Sequence, residues 1–230
     1  MSKWYCLVVV SVFAVACAAN AEVASQTPIG PKTVRMESAG DSGARFILEL
    51  LPVSFLFSPD LEDFEAVGGG GEIITIDGTG SWIPNARAGV SIGMDTLILD
   101  ITGGGGILWN NAFSGPFYVG DIAARCKIGD HWTLGPHAGI LYFSNITWEG
   151  DTSDGDSTGT EEEFEFSDTT GWMAGVTTTF GGKKLFGFLS LDYVSAEMDV
   201  EAADPTYWTL NDDTLDLSGF AIQAGIAWRF

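Results

Sequence analysis

The chain has 230 residues, with 10 Lys and Arg against 31 Asp and Glu, a formal charge of −21. That balance excludes nucleic acid as a partner, because phosphates are bound through Lys and Arg. Yet 46% of the residues are hydrophobic, whereas strongly acidic disordered chains are short of apolar side chains. Charged and apolar residues must therefore be segregated along the sequence.

The first residues carry Lys3, an apolar run from Trp4 to Ala19 and the small-x-small site Ala19-Asn20-Ala21. This pattern predicts a cleaved secretory signal over 1–21; a spanning helix needs about 20 apolar residues. Ala14-Val15-Ala16-Cys17 offers a competing lipoprotein processing site, although Ala14 stands where a branched aliphatic residue is expected. Cys6 and Cys17 fall in the signal. The exported chain then keeps Cys126, read as a small hydrophobe, and closes no internal disulfide. Residues 22–43, with Pro28 and Pro31, read as a periplasmic lead-in, and 44–230 as one domain.

Beyond the lead-in, apolar stretches alternate with breaks rich in Gly, Asp and Asn, without a helical period. The predicted strands are 44–57, 86–94, 96–104, 116–128, 132–148, 166–180, 184–199 and 214–230. In the last, Phe220, Ile222, Ala224, Ile226, Trp228 and Phe230 share one face, against Gly219, Ala221, Gln223, Gly225, Ala227 and Arg229. Such a period of two marks a strand with one apolar face. The fifth stretch repeats it, with Trp132, Leu134, Ala138, Ile140, Tyr142, Ile146 and Trp148 opposite Thr133, Gly135, His137, Gly139, Asn145 and Thr147. In the first, Ile47, Leu51, Val53, Phe55 and Phe57 share the expected lumen face with Arg45 and Glu49, and Pro52 implies a bulge that would flip the alternation and account for this mixed face.

Breaks near Asp95, at 129–131 and at 181–183 are short; those at 58–85, 105–115, 149–165 and 200–213 are long. Strict alternation places both ends of the domain on the short-turn side. The glycines of 68–71 and 103–106 lack the following helix of a phosphate loop. Every Lys and Arg of the exported chain lies outside the four long breaks, while acids crowd 149–165. The expected fold is all-β: an eight-stranded antiparallel up-and-down transmembrane β-barrel with long acidic extracellular loops and short periplasmic turns. In hydrocarbon a sheet must close on itself to satisfy its backbone. The polar face, rich in Gly, Ala, Thr and Ser, suits the narrow interior of such a barrel.

The closing segment from Phe220 to Phe230, with Trp228 and Phe230 on the lipid side, resembles the C-terminal strand of bacterial outer-membrane β-barrel proteins. In size the chain is similar to the small barrels related to OmpA and OmpX transmembrane domains and to OmpW-like proteins. The resemblance implies a bacterial outer-membrane location, lipopolysaccharide and outer-membrane lipids as surroundings, a monomeric state, and Trp228 and Phe230 as a signal read by the barrel assembly machinery. It names a destination rather than an activity.

The candidate functional residues are a lumen charge network of Arg45, Glu49, Arg87, Asp100, Asp121, Arg125, Lys127, Asp192 and Arg229, in which opposite charges offset burial. It reads as structural filling, with a gated ion path as the competing reading. Asp151, Asp154, Asp156, Glu161 and Glu162 could take divalent cations through hard oxygens, but Asp156 occupies the EF-hand glycine position, and a solvated surface loop is the simpler reading. No cofactor is expected. Tyr142-Phe143-Ser144-Asn145 is similar to the His-x-Ser-Asn stretch of the lipid A deacylase family, with Ser144 toward lipid, but Tyr142 stands where the base histidine is needed. His131 falls in a turn and His137 on the lumen face, so the chain is expected not to be an enzyme. Loop aromatics, Trp82, Trp109, Phe113, Tyr207 and Trp208, read as interfacial anchors. A structural or surface-interaction role is the leading expectation. The alternatives are a narrow conduit for small ions or apolar solutes and, behind it, lipid A modification.

Overall fold

The computed structural model describes residues 43–76, 78–148 and 164–230. The predicted signal, almost all of the lead-in and the acid-rich stretch holding Asp151, Asp154, Asp156, Glu161 and Glu162 lie outside the described residues. Eight long strands form the wall: β1 (Gly43–Phe57), β2 (Asn85–Gly93), β3 (Leu97–Trp109), β4 (Phe113–Ile128), β5 (Trp132–Phe143), β6 (Thr169–Gly181), β7 (Leu185–Ser195) and β8 (Gly219–Arg229). Each pairs antiparallel with its neighbour in sequence, and β1 pairs with both β2 and β8, which closes the barrel. It is the all-β, eight-stranded antiparallel up-and-down barrel expected from the sequence.

Alternation sorts the side chains as a membrane barrel requires. On β8, Ala221, Gln223 and Ala227 are buried inside while Phe220, Ile222 and Ile226 are exposed outside, as is Phe230 just past its end. On β1 the register shifts between Leu50 and Val53. Ile47, Glu49 and Leu51 therefore point inward before the shift, and Val53, Phe55 and Phe57 outward after it. The bulge at Pro52 lets one strand keep an apolar outer face although its sequence breaks step.

Aromatic pairs band the outer surface at two heights. Phe46–Phe230 and Trp132–Phe180 lie near the short turns; Trp82–Trp109, Tyr118–Tyr142 and Trp172–Tyr193 lie near the loops. On β5, ten residues separate Trp132 from Tyr142. At about 3.3 Å per residue and a tilt of about 40° that is roughly 25 Å of height, the depth of an outer-membrane apolar band.

Three short turns, 94–96, 129–131 and 182–184, share one end with Gly43 and Phe230. At the other end 58–84, 144–168 and 196–218 are long, but 110–112 is tight, which corrects the expected long loop at 105–115. There Gly103 to Gly106 continue β3 in full register with β2 and β4. A Cβ on Gly104 would stand 1.9 Å from the Ala86 carbonyl oxygen, so these glycines permit close strand approach instead of breaking the strand. Asn110 turns the chain by accepting from the Ala112 N–H at 3.1 Å.

The loop end is folded. Thr147–Trp148, Phe164–Phe166, Glu197–Ala202 and Thr214–Asp216 extend the sheet above β4, and Trp208–Leu210, Glu65–Gly68 and Ile73–Thr75 form a second small sheet. Phe64, Trp148, Phe164 and Trp208 pack over the mouth, with centroid distances of 5.0 Å for Trp148–Phe164 and 5.8 Å for Phe164–Trp208. Ile146 and Trp148, expected on the lipid side, are buried in this cap. Asn145 takes a left-handed φ of 49°, which interrupts the strand and reverses its facing. Trp208 and Phe113, read as interfacial anchors, belong to the same apolar core. Trp82, Trp109 and Tyr207 are exposed. Cys126 is half-buried on β4, and Cys6 and Cys17 lie outside the described residues.

Candidate functional site: a charged belt across the lumen

Inward positions at mid-height on the wall carry the charges. Glu49 stands opposite Arg87 on β1 and β2, and Asp192 opposite Gly175 on β7 and β6. Glu49, Arg87, Asp100, Asp121, Arg125 and Asp192 are all at least 94% shielded from solvent. Side chains from neighbouring and next-but-one strands meet. Arg87 on β2 donates from Nη2 to Gln223 Oε1 on β8 at 2.6 Å and from Nε to Asn85 Oδ1 at 2.9 Å. Its Nη1 lies 3.8 Å from Asp121 Oδ2. Arg125 is ion-paired with Asp100, which Arg229 also approaches at 3.7 Å while stacking over Phe186.

His137 joins the two sides of this belt. Its Nδ1 lies 2.9 Å from Asp121 Oδ1, and its Nε2 bonds Asp192 Oδ1. Both partners are carboxylates, which accept, so the imidazole satisfies both contacts by donating from both nitrogens as an imidazolium. Asp192 also accepts from Ser190 Oγ at 2.8 Å and from Gln223 Nε2 at 3.0 Å. Among the described residues the belt then sets four carboxylates, Glu49, Asp100, Asp121 and Asp192, against Arg87, Arg125, Arg229 and charged His137. A set of balanced opposite charges is the form in which buried charges are tolerable.

Two glycines make room for the histidine. A Cβ on Gly175 would meet Leu191 O at 2.2 Å and Asp192 Oδ1 at 2.3 Å; one on Gly139 would meet Gly120 O at 2.6 Å. The wall beside His137 is thus bare backbone, and the ring and its two aspartates fill the space.

Of the nine predicted network residues, Arg45 and Lys127 stand apart. They line the short-turn mouth, where Lys127 Nζ donates to Met94 O at 2.8 Å. Gln223, Asn85, Ser190 and the bridging role of His137 escaped the sequence reading. The signal existed for the last, because His137 shares the inward parity of its strand with Thr133 and Gly135. Ser144 is buried, not lipid-facing as the sequence register implied, and β5 already ends at Phe143. Among the described residues no group of His, Cys, Asp and Glu is arranged to hold a metal ion. Trp228 lies on the outer face and Phe230 is exposed at the short-turn end.

No family model matches the chain, and no curated protein matches it. Among solved structures it is similar to the outer membrane protein OprG from Pseudomonas aeruginosa, at 9% identity and TM-score 0.47, covering 83% of this chain and 97% of that one. It is also similar to Neisserial surface protein A, at 12% and 0.33 with 82% and 100% covered. A further match is the outer membrane protease OmpT from Escherichia coli, at 12% and 0.35 with 81% and 96% covered.

Proposed function

We propose that this chain is a closed barrel of the bacterial outer membrane with a structural or surface-interaction role, its folded acidic loop end displayed outside the cell. The observation that carries the reading is the filled interior. Arg87 reaches from β2 to Gln223 on β8, His137 ties Asp121 to Asp192, and an aromatic cap covers the opposite mouth. An eight-strand barrel is just wide enough for side chains to fill, which favours a plug over a conduit for ions or apolar solutes.

The orientation follows from the ends. Among the described residues Lys183 and Lys184 occupy a short turn, while the long segments carry Glu62, Glu65, Asp168, Asp199, Glu201 and Asp212 and no basic residue. Short periplasmic turns and longer outer loops are the rule for such barrels. Trp228 and Phe230 are proposed as the assembly signal. Lipid modification is disfavoured because Ser144 is buried and bonded through its backbone to Pro116.

Planar-bilayer recording of the purified barrel tests the reading. The expected trace is silent. Discrete conductance steps that vanish on charge reversal at Arg125 or Asp121 would establish the conduit instead.

A further inference from the structure

The small sheet at the loop end leaves one edge open. Its strands run in the order Trp208–Leu210, Glu65–Gly68, Ile73–Thr75, so Ile73–Thr75 has a neighbour on one side only among the described residues. The Gly68 N–H donates to Glu72 O at 2.8 Å. Opposed residues of an antiparallel pair alternate between bonded and unbonded, and with the register Val67↔Ile73, Ala66↔Ile74, Glu65↔Thr75 the next bonded pair is Ala66 with Ile74. Ile73 and Thr75 therefore turn their N–H and C=O groups to the open edge, where neither has a backbone partner among the described residues. Ile74 is buried in the cap, whereas Ile73 is 58% exposed and shares an exposed outer face with Val67, Thr75 and Glu65. Lysine, proline or a bulge, the usual means of blunting an edge, are absent from 72–76. Exposed Glu62, Asp63 and Glu65 lie on the segment that carries this sheet, Glu72 adjoins the edge, and the described long segments hold no Lys or Arg.

We infer that the Ile73–Thr75 edge receives an extended, basic segment of another polypeptide as an added strand. The inference rests on the surface-interaction role proposed above and names the partner's chemistry. In strand addition the main-chain bonds supply affinity and alternate side chains supply specificity. Ile73 and Thr75 each offer one donor and one acceptor to the incoming strand. Apolar residues at its alternate positions would cover Val67 and Ile73 on the outer face. The sign of its charge follows from the surroundings, which are acidic without a compensating cation, so a cationic segment is drawn in and an acidic one repelled. A second copy of this chain is disfavoured on the same ground, since its loop end would bring the same acids and no cation among the described residues.

The test is fluorescence anisotropy of a tagged peptide of about ten residues, alternating Lys and Val, titrated with the detergent-solubilised barrel at about 0.15 M salt. Saturable one-to-one binding is expected. The same peptide N-methylated at every amide keeps its side chains and charge but cannot donate to the edge carbonyls. It should bind at least about tenfold more weakly, as should the version with Glu in place of Lys. Thr75→Pro removes an N–H on the open side while leaving the Ala66–Ile74 pair bonded, and should weaken the Lys peptide comparably. Its folding is checked by heat-modifiable gel mobility; should it not fold, the methylated peptide decides the question on the unaltered chain. No binding, equal binding of the methylated or the Glu peptide, or undiminished binding to folded Thr75→Pro overturns the site. Self-association of the barrel that Thr75→Pro abolishes would also overturn it, by giving the edge to a second copy. Binding to the purified barrel but not to intact cells would support the edge and refute its outward display.

Discussion

The two halves of the lumen are built on opposite principles. At mid-height the interior is polar, with Glu49, Arg87, Asp100, Asp121, Arg125, His137 and Asp192 shielded from solvent and His137 bonded to Asp121 and Asp192. Toward the loops it turns apolar, and Leu56, Leu108, Phe117, Val119, Leu141, Phe143, Met173 and Val194 run without interruption into the cap around Trp148 and Phe164. Outside, both halves look alike, because both carry exposed apolar side chains. The difference teaches that wall strands need only an apolar outer face. What fills the inside decides whether stability comes from a bonded set of charges or from packing.

The largest effect expected from that contrast is at the hub of the polar half. His137→Ala removes the cation between Asp121 and Asp192 and leaves two buried carboxylates facing each other. The barrel should lose about 3–5 kcal/mol, read from reversible urea unfolding in lipid vesicles. A loss below about 1 kcal/mol would show that the aspartates need no partner.

In the apolar half, Leu141→Ala should cost about 3 kcal/mol through the cavity it leaves. The same urea experiment reads it, together with faster hydrogen exchange in the Thr147–Trp148 and Phe164–Phe166 strands that rest on this core. Unchanged exchange there would mean that the cap folds independently of the barrel interior.

A smaller effect tests how tightly the belt is fitted. Gly175→Ala brings a Cβ against Leu191 O and Asp192 Oδ1, at 2.2 and 2.3 Å. Backbone must shift to admit it, at about 2 kcal/mol. Gly120→Ala, where a Cβ meets nothing within 4 Å, is the control. Equal costs at the two glycines would remove the fitting argument.

The smallest effect concerns the loop end and pH. The Thr206 hydroxyl and N–H bonded to Asp204 hold its carboxyl below the ordinary range. Glu72 is lowered by its own backbone N–H first and the Tyr207 hydroxyl next. Both folded values are depressed, so the stability they lend is present above the ordinary carboxylate range and fades as pH falls through the lowered values. Protection of the Gly70 and Thr206 amides, taken relative to intrinsic exchange and followed from pH 6 to pH 3, should fall only at the acid end. A fall that begins near neutrality would assign it to other groups.

How much of this was legible in the sequence follows from the same division. Where a strand has one polar and one apolar face, as from Trp132 to Tyr142 and from Phe220 to Arg229, the alternation gave the facing of its side chains, although the expected bounds 132–148 and 214–230 overran the observed strands by five residues at the loop end. Near the loops both faces are apolar: Leu108 points in and Trp109 out, Phe117 in and Tyr118 out. Alternation then carries no contrast, so β3 and β4 were cut short and Trp148 was turned outward. The glycines of 103–106 looked like a break because sequence cannot separate a glycine that bends a chain from one that admits a neighbouring strand. The charges could be assigned to the inner face by parity, but not their partners. Which aspartate meets His137 depends on stagger around the closed barrel, a relation between strands distant in sequence.

The filled lumen is tested most directly by thiol accessibility in vesicles, using a signal-free chain with Cys126→Ala as background. Ser190→Cys places a thiol in the belt beside Asp192, and Thr96→Cys places one at the rim of the short-turn mouth. A water-soluble maleimide should label the rim cysteine readily and the belt cysteine at least about a hundredfold more slowly, as expected when exposure of the belt requires opening that costs near 3 kcal/mol. Comparable labelling at the two positions would mean a water-filled passage and contradict the plug.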